Sequence, residues 1–348
     1  QNKLNRYTFY LTVPLAFLQA IGQIRLVGVS LTGGVESIMP NFGFGAAELL
    51  PTLTTLIAMV GGTMFAIWIG ERITEEGVGQ GISLIIFGGI VAGIIPSLAQ
   101  MLTLDTTARI FSIFTFLLYL VLTVLVIVII QEGQRRIAVQ YGRRVRGRKI
   151  YQGQSTYIPL KVNTAGMIPI IFAQSILTFF PLIAGLFMSG SGRFVDRVAT
   201  AISQFGTNQD PTVAPFAFGA YWILYFILVV AFTFFYTDVM IRQQNLPETL
   251  QRQGGFIPGI RPGKRTESYI MAVVRRITLV GALFLGLIAV LPGIMAVVAA
   301  VLQIDGLEQS VLVSSGSGLI IVVGVVIDTM RQLEAQLLMR HYEGFIKS

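Results

Sequence analysis

Eight runs of mostly apolar residues dominate this sequence of 348 residues, near 7–24, 49–70, 82–103, 110–131, 164–188, 215–237, 277–302 and 311–327. Each is long enough, at roughly 17–25 residues, to carry a helix across ~30 Å of hydrocarbon. A helix is the expected form, because it satisfies its own backbone N–H and C=O groups where no water can. The last run carries the weakest pattern, since SSGSG at 314–318 cuts into it. Composition agrees: 54% of residues are hydrophobic and 12% are charged, against about 25% charged in soluble domains. The chain reads as an all-α polytopic membrane protein.

The basic residues set an orientation. With eight crossings both ends fall on one side, together with the loops 71–81, 132–163 and 238–276. That side holds 21 of the 25 Lys and Arg, and Arg25, Arg109, Arg193 and Arg197 make up the other four. Lys and Arg close to span ends stay in the cytoplasm, so both ends of this chain are expected to be cytoplasmic. Acidic residues divide 10 to 7 between the same sides, which leaves the cytoplasmic face at +11 and the outer face at −3.

Several function classes drop out. The chain has no cysteine and one histidine, His341, which removes disulfides, thiolate chemistry and Cys/His zinc sites. No metal or cofactor is expected. No Asp, Glu, Lys, Arg or His lies inside the eight runs, and Asp238 and Asp328 sit at cytoplasmic ends. Ion- and proton-coupled carriers keep an ionisable residue near the midplane. A secondary transporter of a small solute, the rival that broken helices suggest, is therefore the alternative reading. An intramembrane protease would need an Asp pair or a Ser/His pair within the spans. GVGQG at 77–81 has the glycines of a nucleotide loop but no preceding strand and no following Lys-Ser/Thr. It reads as a turn, and no enzymatic activity is expected. Pro96 and Pro169 interrupt apolar runs, Pro181 and Pro292 lie near span ends, and glycines recur in GGIVAG at 88–93. These features suit either close helix packing or a bundle that opens.

Two loops stand out. Residues 131–163, QEGQRRIAVQYGRRVRGRKIYQGQSTYIPLKVN, interleave eight basic residues with Tyr141, Tyr151 and Tyr157. Guanidinium forks and flat rings suit RNA phosphates and exposed bases. The same cluster also suits anionic lipid, or simple topology signalling. In FIPGIRPG at 256–263, Arg261 stands between two prolines and two glycines. Proline restricts its own φ and the residue before it, so such a tip holds one guanidinium outward at low entropic cost. Two neighbouring basic loops suggest a docking surface for a large partner.

At these residues a resemblance becomes specific. The stretches are GTMFAIWIGERITEEGVGQGISLIIFGGIVAG (62–93), QRRI (134–137), QSTYIPLKVNTAGMIPIIFAQSI (154–176), FIPGIRPGKRT (256–266) and RRITLVGALFLGLIAVLP (275–292). They resemble the SecY family, the central subunit of the bacterial Sec protein-conducting channel, or translocon. The family has ten spans in an inverted-repeat helical bundle. This chain looks like the third to the tenth, lacking the first two transmembrane spans and the plug; Gln1 is not an initiator Met.

The resemblance implies two halves around a central pore: 1–105 as the remainder of the N-terminal half and 106–348 as the C-terminal half. The implied function is passage of unfolded secretory polypeptides across the membrane, with lateral release of transmembrane segments into lipid. An aliphatic ring narrows the family's pore, and the matching positions are Ile86 and Ile90 in SLIIFGGIV, Ile171 in GMIPIIFA and Ile321 in GLIIVVGVVID. Such a ring gives ions no substitute for hydration. The lateral-gate spans that remain carry Gln19, Gln174, Ser175 and Thr178, whose interhelical hydrogen bonds would be worth ~0.6–2 kcal/mol. The loops become the dock for the ribosome, including ribosomal RNA, and for the SecA motor ATPase: Arg143, Arg144, Arg148 and Lys149 on the first, Arg261, Lys264 and Arg265 on the second. Further implied partners are the SecE and SecG subunits, signal sequences, nascent polypeptides and membrane lipids including anionic ones. The implied location is the bacterial inner (plasma) membrane.

Overall fold

The structure, a computed structural model, describes residues 2–32, 45, 48–77, 79–103, 106–141, 144–146, 149–151, 155–186, 202, 215–261, 263–302 and 316–346. A long helix stands at each of the eight apolar runs: α1 (Asn2–Thr32), α2 (Leu49–Glu76), α3 (Gly81–Leu102), α4 (Thr106–Glu132), α5 (Ile168–Leu186), α6 (Pro215–Gln244), α8 (Lys264–Leu302) and α9 (Gly316–Ile346). A short helix, α7 (Leu246–Arg252), follows α6. Among the described residues, Leu49–Glu76, Arg109–Glu132, Pro215–Arg252 and Lys264–Val301 are long and apolar enough to cross a membrane. Tyr10–Ile24, Gly81–Pro96 and Ile168–Ala184 form shorter apolar helices. The spans are helical, as expected.

Pro169 corrects one expectation. It does not interrupt a helix, because α5 begins at Ile168 and places it in the first turn. There the missing N–H has no intrahelical partner to lose. Pro14, Pro96, Pro181 and Pro292, by contrast, lie inside α1, α3, α5 and α8.

Two threonine hydroxyls within the spans follow the physics of a dry environment. The Thr233 hydroxyl donates to the Val229 carbonyl at 2.7 Å, and that of Thr52 to the Glu48 carbonyl at 2.9 Å. Each satisfies itself on its own helix one turn back.

The chain divides into two compact units, Gln1–Gly93 with Ser175–Tyr221 and Val325–Ser348, and Ile94–Gln174 with Trp222–Gly324. In the first, Ala20 and Ile24 of α1 meet Leu56 of α2, with Phe17 and Ile21 against them. α2 and α3 are joined by the GVGQG turn. The Thr74 hydroxyl donates to the Gly70 carbonyl at 2.8 Å and accepts the Gly81 N–H at 2.8 Å. A Cβ on Gly81 would fall on the Gly70 carbonyl, so this glycine is needed for the close approach. The turn is a helix–helix connection, as read from the sequence.

The second unit adds what an all-helical reading did not contain. The segment after α4 forms strands β1 (Gln134–Tyr141), β2 (Arg144–Arg146), β3 (Lys149–Tyr151) and β4 (Ser155–Lys161), and β5 (Gly255–Phe256) lies between α7 and α8. β1 pairs antiparallel with β4 from Gln134↔Lys161 to Gln140↔Ser155. Its other edge takes β5, at Gln140↔Phe256 and Tyr141↔Gly255. At the membrane end, the buried Asn163 amide donates to Gln131 Oε1 at 3.3 Å and to the Gly166 carbonyl at 3.1 Å, tying α4 to the start of α5.

Candidate functional site: the basic loops and the aliphatic positions

The two loops that the sequence presents as separate form one folded body. Alternate residues of β1, Ile137 and Val139, are buried, and Leu160 of β4 joins them. The period of two is what a strand with one covered face requires. The cover comes from Ile241 of α6, Leu250 of α7, Ile257 beyond β5, and Ile270 and Val274 of α8. Ile270, Val274 and the half-buried Ile277 share one stripe of α8. Ile270 and Val274 precede the apolar run of this helix and Ile277 opens it, so α8 is amphipathic ahead of that run and greasy along it. Fully burying each such side chain is worth ~1.5–3 kcal/mol.

This core positions the Arg261 tip. The Ile260 N–H donates to the Ile257 carbonyl at 3.0 Å. Pro258 occupies the second position of this turn and Gly259, with φ 81°, the third, which is the type II pattern. Downstream, Gly263 has φ 111°, and its carbonyl accepts the Thr266 N–H at 3.0 Å and the Glu267 N–H at 3.2 Å. The buried Thr266 also ties the Arg261 carbonyl through its hydroxyl at 3.0 Å. The backbone of Arg261 is thus held from both sides while its side chain is exposed. Lys264 and Arg265 are exposed in the first turn of α8, where the helix dipole disfavours positive charge. Of these first-turn residues, Glu267 alone is acidic.

The first loop is partly described. Arg144 and Lys149 lie on β2 and β3, which pair at Arg144↔Tyr151 and Arg146↔Lys149; Arg143 and Arg148 fall outside the described residues. Two of the three interleaved tyrosines separate in role. Tyr157 is exposed, whereas Tyr141 packs half-buried on the core and donates its hydroxyl to Gln253 Oε1 at 3.3 Å. Tyr141 therefore joins the loops rather than offering a free ring. Asp238, at the end of the apolar run of α6, accepts Arg242 Nε at 2.7 Å and raises that exposed guanidinium's already high pKa.

The aliphatic positions fall in both units. Ile86 and Ile90 are half-buried on α3, in the first. Ile171, half-buried near the start of α5, and Ile321, fully inside on α9, belong to the second. Gln19 on α1 and Gln174, Ser175 and Thr178 on α5 are exposed.

A family model described as SecY matches residues 1–330. The chain belongs to the SecY family. A protein translocase subunit SecY from Halalkalibacterium halodurans is 40% identical over 354 residues, covering 100% of this chain and 76% of that protein. The Escherichia coli protein of the same description is 37% identical over 350 residues, covering 100% of this chain and 73% of its own length. A solved structure described as that of a protein conducting channel matches with a TM-score of 0.58 at 17% identity, over 93% of this chain and 71% of that one. At that identity the likeness speaks for the fold. The SecY match takes in both basic loops, the GVGQG turn and the whole apolar part of α9, and stops short of the last turns of that helix.

What the sequence did not reveal is the anchoring set: Ile137, Val139, Leu160, Ile257 and Ile270. A signal was present in the alternation Ile137, Val139, Tyr141. It was obscured by the arginines around it.

Proposed function

We infer that this chain is the pore-forming subunit of a protein translocation channel, which passes unfolded polypeptides across a membrane and releases transmembrane segments sideways into lipid. The observation that carries this is the SecY-family match over residues 1–330, with relatives named as translocase subunits aligned along the whole chain. The charge-free spans are consistent with it. A substrate of arbitrary sequence needs no fixed ionic site at mid-membrane, whereas a coupled transporter does.

Within that reading, Ile86, Ile90, Ile171 and Ile321 are the aliphatic constriction, dry when closed and yielding around a passing chain. Gln19, Gln174, Ser175 and Thr178 are gate-helix polar groups whose hydrogen bonds are weak enough for a signal sequence to replace. Residues 1–105 and 106–348 are the two halves. The 21-to-4 division of basic residues puts both ends and both basic loops on the cytoplasmic side of a bacterial inner membrane. Arg261, Lys264 and Arg265, with Arg143, Arg144, Arg148 and Lys149, form a dock for ribosomal RNA and for the SecA motor. First-turn cations that oppose the dipole of α8 are explained by a polyanionic or acidic partner, since helix stability does not call for them. SecE and SecG are the channel partners.

The test is site-specific cross-linking of a stalled secretory chain to positions 86, 171 and 321 in the complete channel complex. Adducts at all three are expected. Adducts confined to lipid would end the constriction assignment, and coupled flux of a small solute would favour the transporter.

A further inference from the structure

The membrane end of the β1–β4 sheet carries a groove of about 410 Å³ that the docking surface leaves unused. Its walls include Gln134 and Arg135 at the start of β1, Val162 just past β4, and Arg276, Ile277 and Val280 on α8. Its depth is set by the chain itself. The apolar run of α4 ends near 131 and that of α8 begins near 277. Both guanidiniums therefore stand at the hydrocarbon boundary, with Val280 about one turn deeper.

The groove is built rather than incidental. The Val162 N–H donates to the Gly133 carbonyl at 2.8 Å. α8 presses on this corner at Gly281, where a Cβ would lie 2.6 Å from the Val162 carbonyl. Arg135 shares its strand face with the buried Ile137 and Val139, so it points the way the core points, at the place where the core runs out. Among the described residues neither Arg135 nor Arg276 belongs to an ion pair, and no wall residue is acidic.

We propose that this groove binds one anionic phospholipid of the basic-side leaflet. Arg135 and Arg276 meet the phosphate, with Gln134 as a further donor, and an acyl chain lies along Ile277 and Val280. A site that is cationic at its wet end and aliphatic at its dry end matches an amphiphile, not a free anion. Guanidinium is the group suited to a phosphodiester. The inference uses only the membrane-spanning fold and the orientation proposed above, and it holds whether or not polypeptide passes through this chain.

Its test reads binding, not translocation. The full-length protein with its channel partners, in detergent, is titrated with dioleoyl phosphatidylglycerol or dioleoyl phosphatidylcholine, and retained lipid is counted by native mass spectrometry. One tightly held phosphatidylglycerol is expected. The double variant Arg135→Gln with Arg276→Gln should weaken it about 30-fold, two basic contacts' worth. Arg275→Gln, next door but outside the groove, should leave it unchanged. Val280→Trp, which fills the aliphatic end while keeping both arginines, should also release the lipid, and this variant decides the matter if the double variant melts early. Undiminished retention in the double variant and in Val280→Trp would overturn the proposal. So would an equal loss in Arg275→Gln, the mark of diffuse charge, or displacement by millimolar inorganic phosphate.

Discussion

The extramembrane unit and the spans both bury apolar side chains, but they do so for different reasons. Beneath the sheet, Val139 and Ile270 are removed from water, and the hydrophobic effect rewards each area they lose. In the spans the alternative to protein is lipid, which is as apolar as leucine. There the contacts that matter are close approaches. A Cβ at Gly286 would lie 2.7 Å from the Phe226 ring, and one at Gly293 would fall on the Trp222 indole. The two helices that carry these ring-on-glycine seats, α6 and α8, also supply Ile241, Ile270 and Val274 to the core under the sheet, so one pair of helices obeys two sets of rules along its length. Large side chains hold the outer part; missing side chains hold the inner part.

That contrast can be broken or sharpened by substitution. The largest effect is expected where the outer core serves its tip. Arg261→Glu should lower translocation by tenfold or more with the melting temperature of the complex unchanged, because an exposed side chain is altered on a fully tied backbone. Secretion at the normal rate would remove Arg261 from the dock. Next, Ile270→Ala should destabilise the extramembrane unit by ~2–5 kcal/mol, measured as faster proteolysis of the two loops together. Cleavage of one loop alone would show that they do not fold as one body.

Gly293→Ala should cost ~1–3 kcal/mol through overpacking against Trp222, seen as a lower melting temperature in detergent. A neutral result would mean the indole has room to swing away. The mirror-image change, Leu287→Ala at a position 55% exposed on the same helix, should cost below ~0.5 kcal/mol, since lipid replaces what is removed. Smallest of all, Arg72→Ala deletes exposed pairs to Glu75 and Glu76 at 3.4 and 3.3 Å, and a double-mutant cycle should return ~0.3–0.5 kcal/mol.

Much of this was legible in the residues themselves. The eight helices stand where the apolar runs stand, because in lipid the backbone leaves no other choice. The turn at 77–81 and the constrained tip at 256–263 followed from glycine and proline. The sheet was harder to see. In QRRIAVQY the alternation covers only three inward residues, and flanking arginines made the segment look like a solvated charge run. β5 is two residues long, below any pattern that a sequence can display. Pro169 misled for a related reason: whether a proline breaks a helix or starts one depends on where the first turn lies, and that was settled by the strand and the Asn163 amide just ahead of it.

The placement of the helices and the uneven distribution of Lys and Arg were thus set residue by residue, and both are local quantities. The joining of two loops more than a hundred residues apart, the seating of aromatic rings on glycines, and the groove that pairs Arg135 with Arg276 could emerge only on folding. Each depends on which surfaces meet, and a linear pattern records what a surface is made of without recording what it will face.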